Sequence, residues 1–148
     1  AQVSAMNGMQ ILDINQDGNL DVLYVGNNFG NEVAMGRYDA SNGGVLLGDG
    51  RGGFKFQTGS GIFVPGDAKS LVSIRLGKDQ LAFVALQNRG QMYAFKPKMA
   101  FDFLPVNQDY SYQFKGKTQK ITWTYGSSYL SQSQLAQGFV PHGAKLAK

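Results

Sequence analysis

Apolar and polar positions alternate over short distances along this chain, and glycine, asparagine and aspartate punctuate the runs. Met9-Gln10-Ile11-Leu12 predicts a short strand. Asp21-Val22-Leu23-Tyr24-Val25, β-branched and aromatic, predicts a buried strand that stops at the turn Gly26-Asn27-Asn28. Val45-Leu46-Leu47 and Phe54-Lys55-Phe56 are strand-like on either side of a glycine-rich turn, with positive φ expected at Asp49-Gly50 or Gly52-Gly53. Further on, Tyr110-Ser111-Tyr112-Gln113-Phe114 and Ile121-Thr122-Trp123-Thr124-Tyr125 alternate with period two and predict a hairpin through Lys115-Gly116-Lys117. Alternation places the aromatic residues and Ile121 on one face, expected to be buried against the preceding strands.

One strand pattern occurs twice. Leu81-Ala82-Phe83-Val84-Ala85-Leu86-Gln87-Asn88-Arg89-Gly90 follows Asp21 to Gly30 at a constant offset of 60 residues, and both end in Asn, one residue, then Gly. A strand-borne period of this size predicts repeated sheet units. At that offset Asp13, Asn15, Asp17 and Asp21 fall on Ser73, Arg75, Gly77 and Leu81, so the second copy loses its oxygen donors and puts a guanidinium among them. Pro97-Lys98 interrupts strand character and marks a boundary. The expected organisation is two repeat units within 1–98, about 1–58 and 59–98, followed by a C-terminal β segment over 99–148.

Composition supports an all-β fold. Twenty glycines, seven tyrosines and ten phenylalanines in 148 residues favour many short strands with tight turns, and an apolar content of 43% supplies a core. With no cysteine, disulfides and thiolate metal sites are excluded. A net charge of +4 fits solvated surface lysines, and the clusters at Lys115, Lys117, Lys120 and at Lys145, Lys148 are too small for a nucleic-acid partner to be expected. No run approaches the roughly 18 apolar residues that a transmembrane helix needs, and the first residues show no export signal.

The richest chemistry lies between the first two predicted strands. In Asp13-Ile14-Asn15-Gln16-Asp17-Gly18-Asn19-Leu20-Asp21, side-chain oxygens recur at alternate positions and a glycine follows the third. Asp13, Asn15 and Asp17 can turn oxygens inward, Asn19 can offer its backbone carbonyl, and Asp21 can close the ring directly or through water. Such dense oxygen ligation suits Ca2+ better than magnesium, which keeps more water, or zinc, which prefers nitrogen and sulfur. The helix-flanked calcium loop is excluded, because its twelfth position, a bidentate Glu there, is Tyr24 here.

A calcium loop feeding a strand resembles the FG-GAP or VCBS repeat, the blade unit of integrin-type β-propellers. Gly44-Val45-Leu46-Leu47-Gly48-Asp49-Gly50-Arg51-Gly52-Gly53-Phe54 resembles the hairpin and closing glycine-phenylalanine of such a blade. Tyr125-Gly126-Ser127-Ser128-Tyr129-Leu130-Ser131-Gln132-Ser133-Gln134 is similar to the Gly-Tyr-Leu-Ser-Gln signature of the ASPIC/UnbV segment that follows VCBS repeats in bacterial envelope proteins. The resemblance implies one or two antiparallel propeller-type blades, the C-terminal piece of a larger protein. It also implies a calcium-stabilised binding or adhesion module, secreted, periplasmic or at the cell surface. Open blade edges imply covering by further blades of a longer chain, by the tail packing as a lid, or by a second copy. A purely structural blade pair is the alternative.

The segment Gly30 to Gly43 is long for a connection, and long loops in compact domains are often functional. Glu32, Arg37, Tyr38, Asp39 and Asn42 offer charges, an aromatic face and acceptors for a glycan or protein ligand. Gly48 to Gly53 lacks the following helix and the Lys-Ser or Lys-Thr head of a phosphate loop. Asp67 and Lys69 are expected to pair with neighbours, and His142, the only histidine, is expected at the surface. Without a paired acid and base or a Gly-x-Ser-x-Gly elbow, no enzymatic activity is expected.

Overall fold

The structure, a computed structural model, describes residues 4–77, 80–104, 108–123 and 138–147. Among these every regular element is a β-strand, and the strands form several small antiparallel sheets. Strands β1 (Met6–Leu12), β2 (Asp21–Gly26), β3 (Gly44–Gly48) and β4 (Phe54–Phe56) make a four-stranded meander in sequence order. Strands β5 (Ala68–Leu76), β6 (Gln80–Gln87) and β7 (Tyr93–Phe95) make a second meander. Strand β8 (Phe101–Leu104) pairs with β11 (Gly138–Pro141), while β9 (Tyr110–Phe114) lies between β10 (Lys117–Ile121) and β12 (Lys145–Ala147).

The first two sheets meet where β5 lies against β1 and β2. Strand β1 turns Gly8, Gln10 and Leu12 inward and leaves Met9 and Ile11 exposed, the reverse of what their hydrophobicity alone would choose. Packing against backbone explains it. A Cβ on Gly8 would stand 2.6 Å from Leu71 N, and Gln10 Nε2 donates to Leu71 O at 2.9 Å. Only a residue without a side chain admits β5 so closely, and the neighbouring amide satisfies a carbonyl there. Around this contact Leu12, Leu23, Val25, Val45, Val64, Leu71, Leu81, Phe83 and Phe101 form a continuous buried cluster.

Strand pairing revises the expected alignment between the first sheet and the second. Leu12 pairs with Asp21 and Arg75 pairs with Leu81, so superposing Asp21 on Leu81 brings Leu12, not Asn15, onto Arg75. Eight residues join β1 to β2, whereas three join β5 to β6. The second copy is therefore not a loop that lost its ligands. It is a shortened turn, and the Arg75 guanidinium lies 4.8 Å from the centre of the Phe103 ring.

The C-terminal hairpin also differs from expectation. Lys115 and Gly116 both have positive φ and form a two-residue turn, so pairing starts at Lys117 opposite Phe114 and the strand ends at Ile121. Tyr110, Tyr112 and Phe114 thus face Ile121, Gln119 and Lys117, and Trp123 lies past the strand, its backbone N–H donating to Asp109 Oδ1. Tyr112 is buried as expected. Tyr125 to Gln134 lies outside the described residues. Elsewhere Asp49 closes the β3–β4 turn by accepting from Arg51 N and Gly53 N, and Gly50 and Gly52 both have positive φ. His142 is exposed and its Nδ1 lies 2.8 Å from Asp102 Oδ1, which ties the turn after β11 to β8.

If the β1–β5 approach holds the two sheets together, Gly8→Ala must push them apart. It is expected to cost about 1–3 kcal/mol in denaturant unfolding. Gly30→Ala, where φ is not positive and an added Cβ would meet only Asn28 Oδ1 at an ordinary 3.7 Å, must leave the sheet contact intact and serves as the control.

Candidate metal centre

The β1–β2 loop folds around its own acidic side chains. Asp13 is 1% exposed and Asp21 0%. Asp13 Oδ1 accepts from Asp17 N at 2.9 Å and Oδ2 from Gly18 N at 2.8 Å. Asp21 Oδ2 accepts from Ile14 N at 3.0 Å and Oδ1 from Gly48 N at 2.9 Å, which fastens the loop to the end of β3. Asp17 remains exposed, its Oδ1 accepting from Asn19 N and its Oδ2 from Asn15 Nδ2. Gly18 sits at φ +91°, where a side chain would be strained and would crowd Phe114 O and Lys117.

The expected lid is present in its hairpin part. Strands β9 and β10 lie over the loop: Lys117 Nζ donates to Asn19 Oδ1 at 2.6 Å, and Gln119 Nε2 to Gly18 O at 2.7 Å. Gln16 reaches the other way, its amide donating to Ala100 O. Tyr112 also belongs to this site, although sequence reasoning placed it only on a buried face. Its phenol is pushed well up by burial, with the charges of Asp13 and Asp21 adding to the effect.

Electrostatically the loop is unbalanced. Burial raises Asp13 above the ordinary carboxylate value of 3.8, against the lowering effect of the Gly18 and Asp17 amides and with Asp17 and Asp21 adding repulsion. Burial likewise raises Asp21, against the amides of Gly48, Ile14 and Asn15. Among the described residues neither carboxylate has an ion-pair partner. Each carboxylate offers about four lone-pair positions, so the backbone bonds leave acceptor capacity over. The donor set therefore fits a hard cation in chemistry. Among the described residues no three carboxylate, histidine or cysteine side chains converge. A cation here would rest on a carboxylate pair completed by amide and carbonyl oxygens, a mixture calcium accepts.

The second predicted set does not assemble. Glu32, Asp39 and Asn42 are exposed; Glu32 O accepts from Met35 N, and Asn42 O from Val64 N. Tyr38 pairs its backbone with Asn28. Arg37 alone reaches a cavity, its guanidinium carbon 4.8 Å from the centre of the Phe29 ring. Beneath that cavity sequence reasoning missed Asn27, 0% exposed with φ +84°. Its side chain accepts from Ser4 Oγ and Ser41 N and donates to Gly66 O, and its carbonyl accepts from Asn7 Nδ2 and Lys69 Nζ. Asp67 pairs with Lys69 at 2.6 Å as expected. Burial works to raise Asp67, but Lys69 and Asn88 outweigh it and hold the carboxyl below its usual value.

If the hairpin holds the loop closed, Gln119→Ala is expected to cost about 0.5–1.5 kcal/mol for the lost bond. Amide exchange at Gly18 and Asn19 must then accelerate, while exchange in β6 changes only with global stability.

Compared with protein-family models, with curated proteins and with solved structures, the chain matches none.

Proposed function

We propose that this chain is a calcium-stabilised, non-enzymatic binding module of a secreted, periplasmic or cell-surface protein, built from one or two propeller-type blades. The observation that carries it is the buried pair Asp13 and Asp21, lacking an ion-pair partner among the described residues. Buried charge is costly unless neutralised by a proton or a cation. Asp13 and Asp21 would hold Ca2+ as the carboxylate pair, with Asn15 and the carbonyl of Asn19, and Asp17 would join them by turning its exposed carboxylate inward. Bound there, the ion supplies the missing positive charge and stiffens the entrance to β2. It takes part in no reaction.

The outer face of the first sheet supports the blade reading. Ile11, Val22, Leu46 and Phe56 stand in register across all four strands, with Ile11 61% and Phe56 51% exposed. Met9 and Phe54 are exposed as well. An apolar sheet face of this kind suits a neighbouring blade or a second copy. The same face favours the alternative of a purely structural blade pair, which differs from a binding module in having no ligand of its own.

At ten times its dissociation constant calcium adds about 1.4 kcal/mol. For a domain of this size the expected rise in Tm is about 3–6 °C, reversed by chelator and lost in Asp13→Asn or Asp21→Asn. The pH dependence follows from the raised carboxyls. Without cation, their contribution favours folding when they are protonated and is lost as pH rises through the folded-state values. Protons then compete with calcium, so the calcium-induced rise must be largest near neutrality and fade towards about pH 4. A Tm indifferent to calcium at pH 7 would refute the calcium assignment.

A further inference from the structure

The two-residue turn before β10 decides what lies over the cation loop. With Lys115 and Gly116 in the turn, Lys117 falls opposite Phe114 and shares a strand face with Gln119, two residues on. Both side chains end on the loop: Gln119 Nε2 donates to Gly18 O at 2.7 Å and Lys117 Nζ to Asn19 Oδ1 at 2.6 Å. The lysine chain crosses the loop at Gly18, where an added Cβ would stand 3.2 Å from Lys117 Cδ. Asn19 is itself fixed. It is 8% exposed, its N–H donates to Asp17 Oδ1, and a Cβ on Gly50 would collide with its Oδ1.

The ammonium brings positive charge to an acidic loop without completing an ion pair. Asp13, Asp17 and Asp21 lie within one short loop, yet the Lys117 hydrogen bond goes to a neutral amide oxygen, and among the described residues no carboxylate is at ion-pair distance from its Nζ. At that range the charge attracts the loop and leaves the buried carboxylates unneutralised. The calcium reading gives Asn19 a second duty. Its carbonyl is assigned to the ion while its side chain holds Lys117, so two cations would meet on one residue. Like charges that close oppose each other, and linkage makes the opposition mutual.

We infer that Lys117 is a tethered countercharge that sets the calcium affinity of the loop: docked on Asn19 it steadies the calcium-free loop, and by its charge it weakens calcium binding. The inference rests on the calcium reading and adds to it a residue from the far half of the chain, outside the oxygen-rich loop. A lysine that merely clamps the hairpin would act with the opposite sign. Its loss would loosen the loop and weaken the hold on the ion.

The test titrates the full chain with calcium by calorimetry at pH 7 and follows thermal unfolding in chelator and in calcium. In about 0.01 M salt, where the screening length is about 30 Å, Lys117→Gln is expected to bind calcium about three to ten times more tightly than the parent. In about 1 M salt, where that length is about 3 Å, the difference must nearly vanish. Lys117→Arg keeps the charge and must bind as the parent does. Lys120→Gln makes the same charge change on the opposite face of β10 and must shift affinity by no more than about twofold. Lys117→Gln must also unfold at a lower temperature in chelator, and calcium must raise its Tm by more than it raises the parent's. Calcium binding by the parent with equal or weaker binding by Lys117→Gln overturns the inference and leaves the calcium reading standing, whereas no calcium binding by either overturns both. A gain in affinity that Lys117→Arg shares, or that salt leaves unchanged, assigns the effect to packing and overturns the role of the charge.

Discussion

Two buried carboxylates with no ion-pair partner among the described residues set the terms for the first half of this molecule. Asp21 lies at the start of β2 yet spends its oxygens on Ile14 N and Gly48 N, so it joins the loop before it to the end of β3 after it. Asp13 does the same work within the loop, gathering Asp17 N and Gly18 N. These charge-assisted bonds define the loop, and burial beneath β9 and β10 raises the cost of leaving the charge unneutralised. The hairpin that shuts out water, the upward shift of both carboxyls and the proposed need for a cation are consequences of one arrangement.

Much of the architecture was legible in local pattern. The β2 and β6 runs, the β3–β4 turn at Asp49 and the hairpin around Lys115-Gly116 announce themselves through β-branched residues and turn chemistry. Register was less legible. The aromatic alternation of Ile121 to Tyr125 pointed to a strand, but a two-residue turn at positive φ starts the pairing at Lys117, and turn geometry prevails over pattern. Strand β1 misled in another way: Met9 and Ile11 look inward-facing by hydrophobicity, yet Gly8 and Gln10 face the core because β5 presents backbone there. Pattern reading has no term for a strand that packs on a neighbour's amide.

The candidate sites divide along the same line. The oxygen-rich loop shows in sequence because its donors are contiguous. The cavity does not, because Phe29, Arg37, Asp67 and Arg89 come from separate segments and meet only after the sheets pack. The repeat offset was the one signal available, and it needed the strand pairing to correct it. Three residues join β5 to β6 where eight join β1 to β2, so the second sheet offers no counterpart to the oxygen-rich loop.

That asymmetry bears on how the two ends of β2 communicate. Between them run Val22 to Val25, hydrogen-bonded to β1 and β3 on both sides, with Leu23 and Val25 in the core. At the far end Asn27 locks six partners, among them Asn7 and Lys69, the residues at the two strand bulges. Coupling between distant sites requires an element with two arrangements that both sites bias. A central strand paired on both edges offers only one, and a cation at its start adds stiffness to something already fixed. Occupancy of the loop should therefore stiffen its own end of β2 and leave the arrangement around Asn27 unchanged.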